Sequence, residues 1–321
     1  MHNIANIWMW VGFSIFLVVA LCIDTFVLGK KHIGPHESVK ASLCWTLAWI
    51  ICALIFNAIL WLDLYFTATL SIANQKSLEF FAGYLIEKSL SVDNLFAFYM
   101  VFHQFHIPTI YQQRIFVIGV WSAIVLRLLL ILFGVWLISQ FHWILYLMGI
   151  FLFFTGIKMF FVEEREKDLA DTWIIKLIKR FIRVTTDIQG QSFFILKNKL
   201  WYATPLFLGL IFIELSDLIF AFDSIPAIFA ITTDPFIVWT SNIFAILGLR
   251  ALYFLLAGMA YRLHMLKHGI ALVLIFVGIK MLVAPWLSIS VPWSLSIIGS
   301  ILFIFSILSI KYNKKKLQGH I

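Results

Sequence analysis

The chain has 321 residues; 62% are hydrophobic, only 12% are charged, and 33 Phe and 13 Trp are among them. A water-soluble domain of this length needs polar cover for its surface, so this composition excludes one and calls for a bilayer as solvent. The net charge of +8 would suit a nucleic-acid binder, but in a membrane protein Lys and Arg gather in cytoplasmic loops, so no nucleic-acid partner is expected.

Nine apolar stretches are long enough to cross roughly 30 Å of hydrocarbon as helices. They run over about 6–28, 41–62, 78–102, 114–138, 143–162, 203–225, 236–259, 266–285 and 293–311. The expected fold is therefore all-α, a polytopic membrane helix bundle. The first run has no basic segment before it and leads into further spans, so it reads as a span and not as a cleavable signal. Cys22, Cys44 and Cys52 form no CxxC pair, which argues against a disulfide framework or a soft-metal site. Loop charges then assign sides. Lys30, Lys31, Lys40, Arg114, Lys176, Lys179, Arg180, Arg183, Arg262, Lys267 and the run Lys314–Lys316 all fall on one side if the N-terminus is outside and the C-terminus cytoplasmic. The opposite loops 139–142, 226–235 and 286–292 hold no Lys or Arg, and 63–77 holds only Lys76. Within the cytoplasmic loop 163–202, Ile174, Leu177, Ile178, Phe181 and Ile182 share one helical face against a basic one, which predicts an interfacial amphipathic helix over 173–183. FFILKNKLWY, after it, predicts a short hairpin turning at Lys197–Asn198.

The chain also resembles itself. SVDNLFAF (91–98) matches LSDLIFAF (215–222), AIVLR (123–127) matches ILGLR (246–250), and GIFLFFTGIKM (149–159) matches GIALVLIFVGIKM (269–281), at offsets of 122 to 124. Each copy holds three spans, and an odd number forces the second copy to enter the membrane from the other side. This predicts an inverted repeat, a plan in which transported substrate binds near the midplane. The expected organisation is accessory helices over 1–77, a first three-helix repeat over 78–162, the cytoplasmic loop 163–202, a second repeat over 203–285, and a last helix with a basic tail over 286–321.

Carboxylates stand where lipid should be. Glu87, Ser91, Asp93 and Asn94 lie in span three; Glu214, Ser216, Asp217 and Asp223 lie in span six. A charge at the bilayer centre costs about 2.5–3.5 kcal/mol on insertion scales, so these groups must face each other, a cation or water. Glu87 and Asn94 share a face, as do Glu214 and Asp217. Asp223 points away from Glu214 on an ideal helix, and Pro226 predicts that the helix ends or breaks there. Oxygen ligands suit hard or borderline divalent cations. Low-dielectric burial also favours protonated carboxyls, which makes protons a candidate counter-ion. Arg127 and Arg250 are intramembrane too, and are open to a structural reading as partners of these acids or to a functional one. Asp24 and Asn57 are further candidates in spans one and two. Lys158 and Lys280 lie near span ends, where long side chains snorkel to water.

GYLIEKSLSVDNLFAF, ending at Phe98, and ELSDLIFAFDSIPAIFA, starting at Glu214, resemble the two signature segments of the TerC family. The PLF…ELSD run, TTDPFIVWTSNIFAILGLRALYFLLAG and FVGIKML are similar to its Alx-type branch. The resemblance implies a bacterial inner-membrane protein tied to manganese export and metal homeostasis, with Glu87, Asp93, Asn94, Glu214, Asp217 and Asp223 as its membrane acidic positions. Mn²⁺ would then be substrate, with no permanently bound cofactor. Two other functions compete with this one: a scaffold that hands metal to secreted proteins, resting on the 173–183 segment, and a metal-dependent enzyme acting on lipid, for which no Ser-His or His-rich set accompanies the acids.

Overall fold

In hydrocarbon every backbone N–H and C=O must find a partner inside its own segment, so long apolar runs fold as helices. The computed structural model describes residues 6–30, 39–141, 143–161, 182–185, 190–197, 199–257, 266–287 and 289–318. The amphipathic helix expected over 173–183 falls largely outside them. In chain order the helices are α1 (Ile7–Lys30), α2 (Val39–Thr67), α3 (Leu70–Gln104), α4 (Thr109–Gln140), α5 (Ile144–Phe161), α6 (Pro205–Phe229), α7 (Pro235–Ile246), α8 (Leu249–Ala257), α9 (Leu266–Val283) and α10 (Val291–Gln318). All nine expected spans lie on them, the seventh divided between α7 and α8.

Among the described residues, seven stretches are long and apolar enough to cross a membrane, α7 and α8 counting as one. The charged Glu79, Glu87, Lys88 and Asp93 keep α3 out of that group, and the apolar part of α9, His268–Val283, is shorter. Large apolar side chains such as Ile15, Ile59, Leu129, Phe154 and Phe303 stand exposed on the outside of the bundle. Water would not tolerate so continuous an apolar surface; lipid does. The chain is a polytopic helical membrane protein.

The core is built on α7, buried from Phe236 through Ile246 and packed against α3 and α4. Asp234 caps it, its Oδ1 accepting from the N–H groups of Phe236 (3.0 Å) and Ile237 (3.4 Å), with Pro235 at the first helical position. α6 packs on α3 and α4, and α2 packs on α3 and α8. The expected hairpin is present: β1 (Phe194–Lys197) pairs antiparallel with β2 (Leu200–Ala203), in register Phe194 to Ala203. Lys197, expected in the turn, instead pairs with Leu200, and Lys199 takes φ 61°.

Two expectations need correction. Residues 63–77 are not a loop: α2 runs to Thr67 and α3 starts at Leu70. The polar Asn74, Gln75 and Lys76 extend the helix beyond its apolar part, and Trp61 Nε1 donates to Asn74 Oδ1 (2.8 Å) across the turn. Nor does Pro226 end a helix. α6 continues to Phe229, and the Pro226 carbonyl still accepts from Ala230 N–H at 3.0 Å. The break comes instead in span seven, where Gly248 takes φ +81° between α7 and α8. A Cβ there would lie 2.6 Å from Trp49, so both conformation and space select glycine.

α5 and α9 approach backbone to backbone. A Cβ on Gly149 would meet Met281 Cβ at 3.0 Å and Gly278 O at 3.2 Å. One on Gly156 would meet Ala271 O at 2.8 Å, and one on Gly278 would meet Phe153 N at 2.7 Å. Small residues let membrane helices pack this closely. Gly278→Val should therefore lower the melting temperature of the purified protein by several degrees, since overpacking costs about 1–3 kcal/mol. Gly299→Ala, with nothing within 4 Å of the new methyl, should leave it unchanged.

Candidate functional site

Arg127 stands at the centre of the bundle with 0% of its side chain exposed. A lone guanidinium there would be prohibitive, and its partners come from three other helices. From α6, both oxygens of Asp217 are engaged: Arg127 Nη2 donates to Oδ1 at 2.7 Å and Nε to Oδ2 at 3.2 Å. This is the two-pronged geometry that suits Arg and carboxylate. From α3, Glu87 Oε1 accepts from Arg127 Nη1. From α7, Asn242 Oδ1 accepts from the same nitrogen at 3.0 Å. Glu87 and Asn242 are as buried as Arg127, so little water screens these charges.

The cluster is not saturated. Among the described residues Glu87 Oε2, Asn94 Oδ1, Asn242 Nδ2 and Ser224 Oγ are buried without a hydrogen-bond partner. Glu87 and Asn94 lie seven residues apart on one face of α3, as their spacing predicted. Buried oxygen acceptors left unpaired are uncommon and costly. Glu214, one turn before Asp217 on α6, is held by no arginine among the described residues; its Oε1 accepts from Ser122 Oγ on α4. Three carboxylates thus share this region with one guanidinium. Lys88 turns its ammonium to the helix break, donating to Ala245 O (3.2 Å) and Leu247 O (3.4 Å).

The other candidates are placed as follows. Asp93 lies on α3 and Asp223 on α6, with side chains outside the described residues. Ser91 and Ser216 donate back to their own helices, to Glu87 O and Phe212 O, both at 2.7 Å. Arg250 Nη2 reaches α1, donating to Asp24 O (2.8 Å) and Asp24 Oδ1 (3.2 Å). That contact gives Asp24 a partner in the protein instead of the membrane interface. Asn57 lies on α2 with Oδ1 buried and unpaired among the described residues. No group of three or more His, Cys, Asp and Glu fit to hold a metal ion is found among the described residues. Sequence reasoning missed Asn242 and Ser122. Asn242 had a signal, the polar run Thr240–Ser241–Asn242 inside an otherwise apolar span.

A polytopic helical bundle with an arginine and carboxylates buried at its centre is the class that fold and site define. The description "Integral membrane protein TerC family" matches residues 72–318. The chain belongs to the TerC family. It is 47% identical over 322 residues to the "Putative membrane-bound redox modulator Alx" of Shigella flexneri, covering 99% of this chain and 100% of that one. The protein of the same name from Escherichia coli (strain K12) is also 47% identical, with the same coverage. "Uncharacterized membrane protein STKORF319" of Myxococcus xanthus is 42% identical over 295 residues, 92% of this chain and 89% of its own. No solved structure matches.

Proposed function

We propose that this TerC-family protein exports a divalent cation, manganese, across the bacterial inner membrane by alternating access, with its N-terminus outside and C-terminus in the cytoplasm. The observation that carries this reading is two oxygens without a partner among the described residues: Glu87 Oε2, on the carboxyl that Arg127 holds, and Asn94 Oδ1, two turns further along the same face of α3. Oxygen acceptors of this kind, with carboxylates in excess of buried arginine, suit a hard or borderline divalent cation. Arg127 is the cation these acids hold, so a transported ion must displace its guanidinium from Glu87 or from Asp217. Glu214 sits one turn away, held by no arginine among the described residues, and serves as a relay for the ion or for exchanged protons. Asp93 and Asp223 enter as carboxylates within spans three and six and by family resemblance.

The α5–α9 contact supports an inverted repeat. At an offset of 122, Gly149 corresponds to Ala271, Phe153 to Ile275, and Gly156 to Gly278. Gly149 meets Gly278 and Gly156 meets Ala271; Gly278 meets Phe153 and Gly156 meets Ile275. Exchanging the copies turns each contact into the other, as a two-fold axis in the membrane plane requires. The choice of manganese over other divalent ions rests on family resemblance. The name of the Alx relatives speaks of redox modulation, and the free thiols Cys22, Cys44 and Cys52 on α1 and α2 lie outside the Arg127 cluster. An enzymatic role is not proposed.

Competition tests the cargo. Vesicles carrying the purified protein should take up radioactive manganese, and excess unlabelled Mn²⁺ should suppress this far more than equal Mg²⁺ or Ca²⁺. Suppression by Mg²⁺ or Ca²⁺ to the same degree would remove manganese from the proposal.

A further inference from the structure

Away from the Arg127 cluster, a cleft of 540 Å³ opens where the start of α3, the end of α6 and the turn between α9 and α10 meet. Its volume falls within the roughly 300–1,000 Å³ usual for small-molecule sites. Lys280 lines it and is only 8% exposed. Its side chain opens onto this cleft near the end of span eight. Its ammonium makes no hydrogen bond or close ion pair among the described residues. Glu79 lies within Coulombic reach, but both its oxygens are engaged: Oε1 accepts from Gln75 Nε2 and Oε2 from Lys76 Nζ, each at 2.8 Å. Asp234 is no freer, since Oδ1 caps α7 and Oδ2 lies 3.8 Å from Lys76 Nζ. Glu79 and Asp234 share Lys76, so Lys280 has Glu79 as a Coulombic neighbour but no acceptor for its three N–H donors among the described residues, and it faces the cleft. An oxyanion in the cleft would supply those acceptors in charge-assisted hydrogen bonds.

We infer that this cleft seats the phosphate of an anionic phospholipid headgroup on Lys280. The polar lining groups Asn74, Gln75 and Ser290 supply hydrogen-bond donors, while Leu287 and Val291 offer apolar surface to the glycerol and upper acyl chains. Trp286 and Trp293, 83% and 70% exposed, neighbour the lining residues Leu287 and Pro292 in the chain, and exposed tryptophans suit headgroup depth. Basic pockets between membrane helices hold anionic headgroups on the cytoplasmic side; in the proposed topology this cleft faces the outer leaflet. A free phosphate ion shares the charge chemistry but leaves the apolar lining and the two tryptophans unused. This site is independent of the transported cation.

The full chain, purified in neutral detergent, is given phosphatidylglycerol, phosphatidylcholine or inorganic phosphate at equal concentration. Native mass spectrometry and thermal melting are the readouts. One phosphatidylglycerol should stay bound and raise the melting temperature by about 3 °C; the other two additives should do neither. Lys280→Gln should lose the lipid and the shift, while Lys280→Arg and Lys158→Gln, the repeat-equivalent lysine, should keep both. If Lys280→Gln does not fold, Ser290→Trp fills the rim without removing the ammonium and should also weaken retention. Retention equal to wild type in Lys280→Gln, or in Ser290→Trp, overturns the site. Equal protection by inorganic phosphate overturns the lipid assignment.

Discussion

Arg127→Met should destabilise the protein more than any other single substitution in its core. Arg127 is fully buried and holds Asp217 through both oxygens and Glu87 through one. Removing the guanidinium leaves two carboxylates facing each other and Asn242 in low dielectric. Breaking a buried ion pair on one side costs about 3–5 kcal/mol. The purified variant should melt lower by about 8 °C or more, or fail to accumulate. Part of that loss comes from the abandoned charges, so the triple variant Arg127→Met, Asp217→Asn, Glu87→Gln should recover much of it. A single variant as stable as wild type would mean that the guanidinium is not what holds the acids.

Asp217→Asn should have the largest effect on transport with the smallest effect on folding. The amide keeps nearly the same shape and one acceptor for Arg127, but removes a full negative charge. Arg127 then has only Glu87 as a charged partner among the described residues, and the site loses the charge by which a divalent ion competes with it. Glu87→Gln should act in the same direction, because it also removes the unpartnered Oε2. Flux should fall roughly 100-fold or more in each, as expected when an ion loses a charged ligand in a dry site. Protein yield and melting should stay near wild type. A loss of flux matched by a loss of folded protein would leave these residues with a structural role alone.

These two predictions draw on residues of unequal legibility. Glu87 and Asp217 were visible in the sequence because a carboxylate inside an apolar span is rare and demands an explanation. Their shared partner was visible only as a candidate: spacing gives the face of a helix, not its neighbour, so Arg127 and Arg250 were equivalent on paper. The fold separates them, giving Arg127 to the core acids and Arg250 to Asp24 on α1. Ser122 was hidden for another reason. Serines commonly bond back to their own helix, as Ser122 itself also does to Ile118 O, and nothing in the sequence marks one that reaches across. The helix break was expected at Pro226 and lies at Gly248. A proline removes one N–H but leaves the helix able to continue when its neighbours pack around it. A glycine at positive φ, wedged against Trp49, cannot remain helical. Lys280 was legible as a lysine near a span end, but the cleft it lines was not, because its other walls come from the start of α3 and the α9–α10 turn.

The central claim is that the acids around Arg127 exchange that guanidinium for a transported divalent cation. Initial rates of manganese uptake by vesicles holding equal amounts of wild-type and Asp217→Asn protein, beside empty vesicles, test it most directly. The account predicts saturable uptake by wild type and a rate near that of empty vesicles for the variant. Equal rates in the two proteins, or a wild type no faster than empty vesicles, would contradict it.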